Sequence, residues 1–441
     1  MTNSPELQAD LTGKFPDLHP PLDRQSAVIE ANRCLNCFDA PCTSACPTHI
    51  DVPRFIKKIA SGNLMGSAHA ILDANVLGAS CARVCPVEVL CEGACVMKSH
   101  NKSPIAIGKL QRHAMDEFQF RGGQLVPRSS QERAQRVACI GAGPASLACA
   151  AELRMQGYQV TVFESRDILG GLNTYGVAEY KLPSVESLKE VDMIRTLGVE
   201  FRMGETISSR DQIAELDSQF EAVFVGVGLG PPKRLDLPGS DMKAVVDAVK
   251  FIESYKRGLV GSVEGRVLVI GAGNTAIDAA IASRRLGASE VSILSRRTEG
   301  QMSAFSFEYE HAKLEGVKFH WLVLPAAVSQ AEDGTNILRC ARTEVSADGR
   351  VLTGTGPDVL FPFDLLISAI GQSPLLDLLS VMQAVELADG RVVVDERTGQ
   401  TSNPKFYAGG DCVNGGREVV DAVAEGKRAA IAIAKALEVR A

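Results

Sequence analysis

The spacing of apolar residues changes character near residue 135. Before it, apolar positions recur at helical intervals: Val52, Phe55, Ile56 and Ile59 fall on one face. Asp51 precedes them as a cap, and Pro53 sits in the first turn, where a missing N–H costs nothing. Further helices are predicted over 23–33, 64–77 and 105–120, in a region expected to be stapled by bound groups rather than by a large core. Gly122–Arg136 is polar with Gly, Pro and Ser and reads as a linker. After it, RVACIGAGPASLACAAELRMQGYQVTVFES reads as strand, glycine turn, helix and second strand ending at Glu164. The same order recurs in GRVLVIGAGNTAIDAAIASRRLGASEVSILSRR. Segments 222–239 and 364–374 read as strands leaving or re-entering a nucleotide-binding unit, and 404–416 as a strand into a Gly-Gly-Asp turn before a helix over 419–437. The predicted fold is therefore α/β. An α-helical domain (1–125) precedes a Rossmann-like domain (126–243 and 370–441), into which a second one (244–369) is inserted.

Composition narrows the classes. At 441 residues, 45% apolar and 22% charged, the chain has material for about three globular domains. A net charge of -7 argues against nucleic acid or an anionic membrane as partner, and one Trp with six Tyr leaves few stacking platforms. The longest uncharged run, Val137–Ala151, is too short to span a bilayer. The start, MTNSPELQAD, has no apolar core of a signal peptide, so a cytoplasmic location is expected.

Cysteines supply the first chemistry. CLNCFDAPCTSACP places Cys34, Cys37, Cys42 and Cys46 at C-x2-C-x4-C-x3-C with Pro47 after the last. Three cysteines so close can wrap one centre, while a fourth followed by Pro suits a second cluster, as in two-cluster ferredoxins. A second quartet follows at Cys81, Cys85, Cys91 and Cys95, so eight of the twelve cysteines lie within 62 residues. Disulfides would need an oxidising compartment, and a four-thiolate zinc site two paired C-x2-C knuckles, of which only Cys34–Cys37 is present. The pattern is that of a pair of iron–sulfur clusters.

The glycine loops supply the second. In GAGPAS, Gly141 makes the tight turn and Gly143 lets a pyrophosphate approach the helix that Pro144, Ala145 and Ser146 open. Ser146 takes the third small position, and Glu164 stands where a carboxylate accepts from a free ribose hydroxyl. In GAGNTA, the small positions are Gly271, Gly273 and Ala276, with Asn274 and Thr275 between. The second strand ends there on Ser295, followed by Arg296 and Arg297, which attract a 2′-phosphate that a carboxylate would repel. The first loop thus reads as an FAD site and the second as an NADP(H) site, NADP(H) being favoured over NAD(H). Further expected cofactor-binding residues are Gly170, Gly171 and Leu172 after Glu164, Ala369 and Gly371 in DLLISAIGQSP, Gly410 and Asp411, and Val420 at a helix start whose amides can meet a flavin edge.

The cysteine octet, GAGPAS, the Gly170–Gly171 pair, GAGNTA and AGGD together resemble the NADPH–FAD–iron–sulfur half of dihydropyrimidine dehydrogenase, a separate subunit in bacteria, from about residue 25 to the end. The small subunit of glutamate synthase is built on the same plan. The resemblance implies one 4Fe-4S cluster on Cys34, Cys37, Cys42 and Cys95. It implies a second on Cys46, Cys85, Cys91 and Gln111, leaving Cys81 as a buried thiol. Gln111 stands where glutamate synthase subunits carry a glutamate, and five residues separate Cys85 from Cys91 where those subunits have three. The implied function is electron input: from NAD(P)H through FAD and two 4Fe-4S clusters to an FMN-containing partner, in a heterotetramer that reduces uracil or thymine. No barrel for FMN follows, so a pyrimidine pocket is not expected in this chain. A glutamate synthase small subunit or a stand-alone NADPH:ferredoxin-type reductase is the alternative. No catalytic acid, base or nucleophile is expected, since cofactors carry such chemistry. The seven histidines show no ligand spacing, and Cys139, Cys149 and Cys412 read as structural thiols.

Overall fold

The computed structural model describes residues 11, 13–354 and 356–440. Two parallel five-stranded sheets carry the α/β architecture. Across the first, the order is Phe406–Ala408, Ala222–Val225, Arg136–Ile140, Gln159–Glu164 and Glu200–Met203. Across the second it is Val245–Asp247, Leu365–Ser368, Arg266–Ile270, Glu290–Ser295 and Lys318–Trp321. Their central strands are continuous apolar runs after the first Arg, Val-Ala-Cys-Ile and Val-Leu-Val-Ile, because parallel sheets are covered on both faces. The strands within 222–239 and 364–374 take interior places: Ala222–Val225 pairs with Arg136–Ile140, and Leu365–Ser368 with Arg266–Ile270. In both sheets the strand before the glycine loop therefore has parallel neighbours on either side, which opens a crevice at its carboxyl end.

By contact density the chain divides into two units. One comprises 17–174, 181–231 and 374–441, and the other the stretch ending at Pro16, 175–180 and 232–373. In the first unit, the N-terminal helices are Arg24–Asn32, Val52–Ala60, Leu64–Leu72, Gly78–Val84 and Ile107–Phe120, with the four-residue turns Pro41–Ser44 and Val96–Ser99. Asp51 caps the second, accepting from Arg54 N–H at 3.1 Å, and Pro53 lies in its first turn. The predicted helix over 64–77 stops at Leu72, because Asn75 Oδ1 accepts from Leu77 N–H at 2.9 Å and turns the chain. The expectation of helices stapled without a large core is corrected. Phe55, Ile59, Leu110 and Phe118 belong to one buried cluster with Val137, Leu153, Ile194 and Ile433, so helical segment and first sheet share a core. That core closes where helix Val419–Arg440 crosses helix Pro144–Met155. At Gly426 even a methyl group would lie 2.0 Å from the Ala145 carbonyl oxygen.

In the other unit, the second sheet is joined by an antiparallel sheet in which Asn336–Val345 pairs with each of Val323–Gln330, Val351–Thr353 and Val359–Phe363. Leu338, Cys340 and Phe363 seal it against Leu268 and Leu294. Among the described residues, no helix is long and apolar enough to cross a membrane.

Candidate functional site

Cys34, Cys37, Cys42 and Cys95 line a single cavity of about 370 Å³, although Cys95 comes from the far end of the second quartet. Its other walls, Val52, Pro53, Ile56, Ile105 and Ile107, are apolar. Burial pushes the Cys42 thiol up to about 11 and raises Cys34 as well, with neighbouring cysteines adding to both. Burial favours the neutral thiols here, so a bound cation would be what stabilises the thiolates, their protons passing to water. Among the described residues, no three His, Cys, Asp or Glu side chains converge on a single ion. Four sulfurs spread around an apolar cavity suit a polynuclear group better than one zinc ion.

Cys85 and Cys91 lie within electrostatic reach of Cys46. The Cys85 thiol is pushed well up by its bond to Cys81 and by burial, then by Cys91 and Cys46; the Cys91 thiol is raised by burial first, then Glu92 and Cys46. Cys81 is buried. Gln111 is buried on helix Ile107–Phe120, and its Nε2 donates to Gly78 O at 2.8 Å. That bond occupies the amide nitrogen and leaves Oε1 as the atom with ligand capacity. A helix-surface glutamine would be solvated; this one is not.

At the first glycine loop, Gly141 has φ +89°, and a Cβ there would sit 2.7 Å from Gly226 O on the neighbouring strand's end. Only glycine fits that turn. Gly143 precedes Pro144 at the helix start, and a Cβ built on it meets nothing within 4 Å, so space is open beside the loop at that point. Ala145 and Ser146 are buried, with Ser146 packed against Gly226. Glu164 is buried at its strand end and accepts from Ala142 N–H at 2.8 Å and Arg166 N–H at 2.9 Å. Gly170 N–H donates to Ala142 O at 3.0 Å, and Gly171 abuts Gly143, which places Leu172 beside the loop. Gly410 packs on Ala145, and its N–H donates to Glu425 at 2.6 Å. Asp411 opens the next turn, its carboxyl raised by burial, and Val420 is buried at the start of the long helix. The expected FAD residues thus gather around one helix N-terminus.

The second loop opens onto a cleft of about 1720 Å³. Gly271, Gly273, Thr275, Arg296, Arg297, Ala369 and Gly371 all line it. Asn274 serves the loop instead, its Oδ1 accepting from Phe305 N–H at 3.1 Å, and Ala276 is buried beneath. Gly271 has φ +119° and lies against Ala369 O, the counterpart of Gly141 against Gly226. The arginine pair is presented by pinned backbone: Thr343 Oγ1 donates to Arg296 O at 2.8 Å, and Arg297 N–H to Ser295 Oγ at 3.2 Å. Both residues are exposed, and neither forms an ion pair among the described residues. Sequence reasoning missed Arg350, which joins Arg296, Arg297 and Gln301 around an adjoining open depression. It also missed Asp247, which lines the cleft with a carboxyl raised by burial. Neither lies in a motif; both are brought by strand pairing.

Residues 135–426 match the family described as pyridine nucleotide-disulphide oxidoreductase, which is more than half the chain. The chain belongs to that family. Residues 12–122 match the domain described as dihydropyrimidine dehydrogenase domain II, 4Fe-4S cluster. The NADPH glutamate synthase small chain of Escherichia coli K12 is 33% identical over 97% of this chain and 94% of its own length. The beta subunit of the NADP(+)-dependent formate dehydrogenase of Moorella thermoacetica is 32% identical over 89% of this chain and 59% of that one. Among solved structures, FprA from Mycobacterium tuberculosis in complex with NADPH superposes with a TM-score of 0.55 at 20% identity, over 70% of this chain and 86% of that one. Thioredoxin reductase from T. acidophilum does so at 0.54 and 20%, over 68% and 98%. These two likenesses show the paired nucleotide-binding fold. The oxidoreductase is thus a flavin and iron–sulfur electron-transfer protein whose cofactors are FAD, a pyridine nucleotide and 4Fe-4S iron–sulfur groups. The cavity of four thiols, the space beside Gly143 and the arginine-lined cleft fit these groups.

Proposed function

We propose that the chain is the NADPH-oxidising electron-input subunit of a larger enzyme. The single observation that carries this is the coexistence, on one chain, of a dinucleotide cleft with two guanidiniums and a four-cysteine cavity. When bound, the nicotinamide and flavin supply hydride chemistry and the clusters pass single electrons. The chain's own residues bind and orient. Arg296 and Arg297 hold the 2′-phosphate, and the amides above Gly143 hold the flavin's pyrophosphate. Glu164 accepts from its ribose, and the apolar walls of the cysteine cavity keep water out.

The first reading of the partner is the large subunit of a glutamate synthase, supported by the relative that this chain matches nearly end to end. A second reading is an FMN-containing subunit that reduces uracil or thymine. The buried Gln111 and the match of residues 12–122 favour it. The cluster sets in this proposal are Cys34, Cys37, Cys42 and Cys95, and Cys46, Cys85, Cys91 and Gln111. Replacing Gln111 by leucine is expected to alter one cluster's EPR signal and leave the other unchanged. Two unchanged signals would remove Gln111 from the ligand set.

A further inference from the structure

Glu190, on helix Ser184–Arg195, is wholly buried. Its carboxylate reaches the first turn of the cysteine-bearing helix Gly78–Val84, accepting from Ala79 N–H at 2.7 Å, from Ser80 N–H at 3.1 Å and from Ser80 Oγ. Ser80 Oγ also accepts from Asn173 Nδ2 at 2.7 Å, two residues after the Gly170–Gly171 pair. Asn173 Nδ2 and Thr174 Oγ1 both meet Ser187 Oγ, which returns the network to the Glu190 helix. On the other side, Gly78 O holds Gln111 Nε2. One buried polar network thus spans the flavin-side loop, Glu190 and a candidate cluster ligand. Asn173 Oδ1 is buried without a partner in the chain, an acceptor left for a bound group or water.

We propose that Glu190 is a positioning residue that ties the flavin-side loop 170–174 to the cysteine-bearing helix, and that it takes up a proton when an electron arrives at the neighbouring cluster site. This rests on the electron-input reading above. The balance is simple: one electron enters from the flavin, one proton enters from bulk water, and a carboxyl O–H bond forms. No other bond changes, because Ser80 Oγ can turn from donor to acceptor.

The electrostatics favour this. Burial lifts the Glu190 carboxyl to about 7, against the opposing pull of Ser80, Ala79 and Arg83. An added negative charge nearby raises it further, so protonation follows electron loading at neutral pH. The surrounding groups do not compete. Arg83, on the cysteine helix, is held by Asp116 at 2.6 Å and by Glu186 of Glu190's own helix at 3.3 Å. The loop contributes the uncharged Asn173 and Thr174, and Cys81 is the remaining titratable group on the cysteine helix.

The test is an anaerobic redox titration of the full chain followed by EPR between about pH 6 and pH 9. The wild-type potential of the cluster beside Gln111 is expected to fall as pH rises, by up to a tenfold change in the reduction equilibrium per unit, about 59 mV. Glu190→Gln is expected to flatten that dependence with both cluster signals retained, and Glu190→Asp to restore it. A flat wild-type profile, or a Glu190→Gln profile that tracks the wild type, overturns the proposal. Should Glu190→Gln fail to assemble, Ser80→Ala decides. Loss of a bond to the charged carboxylate must move the pH-dependent range upward, and an unmoved range overturns the proposal. Absence of any cluster signal would instead overturn the electron-input reading.

Discussion

Replacing Arg296 and Arg297 together by alanine is expected to cut kcat/KM for NADPH by about 100- to 1000-fold while leaving NADH use unchanged. A charged hydrogen bond contributes about 1.5–3 kcal/mol, and each 1.36 kcal/mol is tenfold. Two such contacts at an exposed site, discounted for solvent, give about 3–4 kcal/mol. The expectation is specific because the pair lines the cleft beside Gly271 and Gly273, at the end of the strand where the coenzyme's ribose is read. Steady-state kinetics with both coenzymes measures it. Equal losses for NADPH and NADH would mean that the arginines support the fold rather than read the 2′-phosphate. Arg350→Ala is expected to give a smaller loss of the same kind, since Arg350 also pairs with Asp348 at 3.2 Å.

Cys95→Ser is expected to remove one cluster outright, with iron per chain falling from about eight atoms to about four. The other cluster's EPR signal should persist. Cys81→Ser, by contrast, is expected to leave iron content unchanged. Iron analysis on anaerobically purified protein distinguishes the two. If Cys95→Ser retains all its iron while Cys81→Ser loses half, the ligand sets must be redrawn with Cys81 inside and Cys95 outside.

Local signals made much of this legible. Asp51 and Pro53 announced a helix start because capping is a property of neighbouring residues. The glycine loops announced themselves because the residue types a phosphate loop demands are consecutive. Both loops lie where each sheet's central strand is flanked by parallel neighbours. The arginine pair was legible for the same reason. What stayed hidden depends on distant segments. Spacing alone gave no reason to group Cys95 with Cys34, Cys37 and Cys42; that came from family resemblance, and the chain's folding brings all four to one cavity. Arg350 lies at the turn of a local hairpin, Val345 pairing with Val351, and only the fold brings that turn to Arg296 and Arg297. Gly426 looked like any helix glycine until its crossing with Ala145 was visible. Glu190 carried no signal at all, because its partners are 110 and 111 residues away.

The central claim is that electrons enter from NADPH and leave through the cysteine-bound clusters to a second subunit. The most direct measurement is anaerobic. The chain is purified from its native cells with whatever accompanies it, and NADPH oxidation is followed separately with glutamine plus 2-oxoglutarate and with uracil. NADPH oxidation dependent on one of these acceptors, lost when the co-purifying subunit is removed and restored when it is returned, is the predicted result. It also names the partner class. Full turnover by the isolated chain with a soluble ferredoxin, unaffected by any second subunit, would contradict the account.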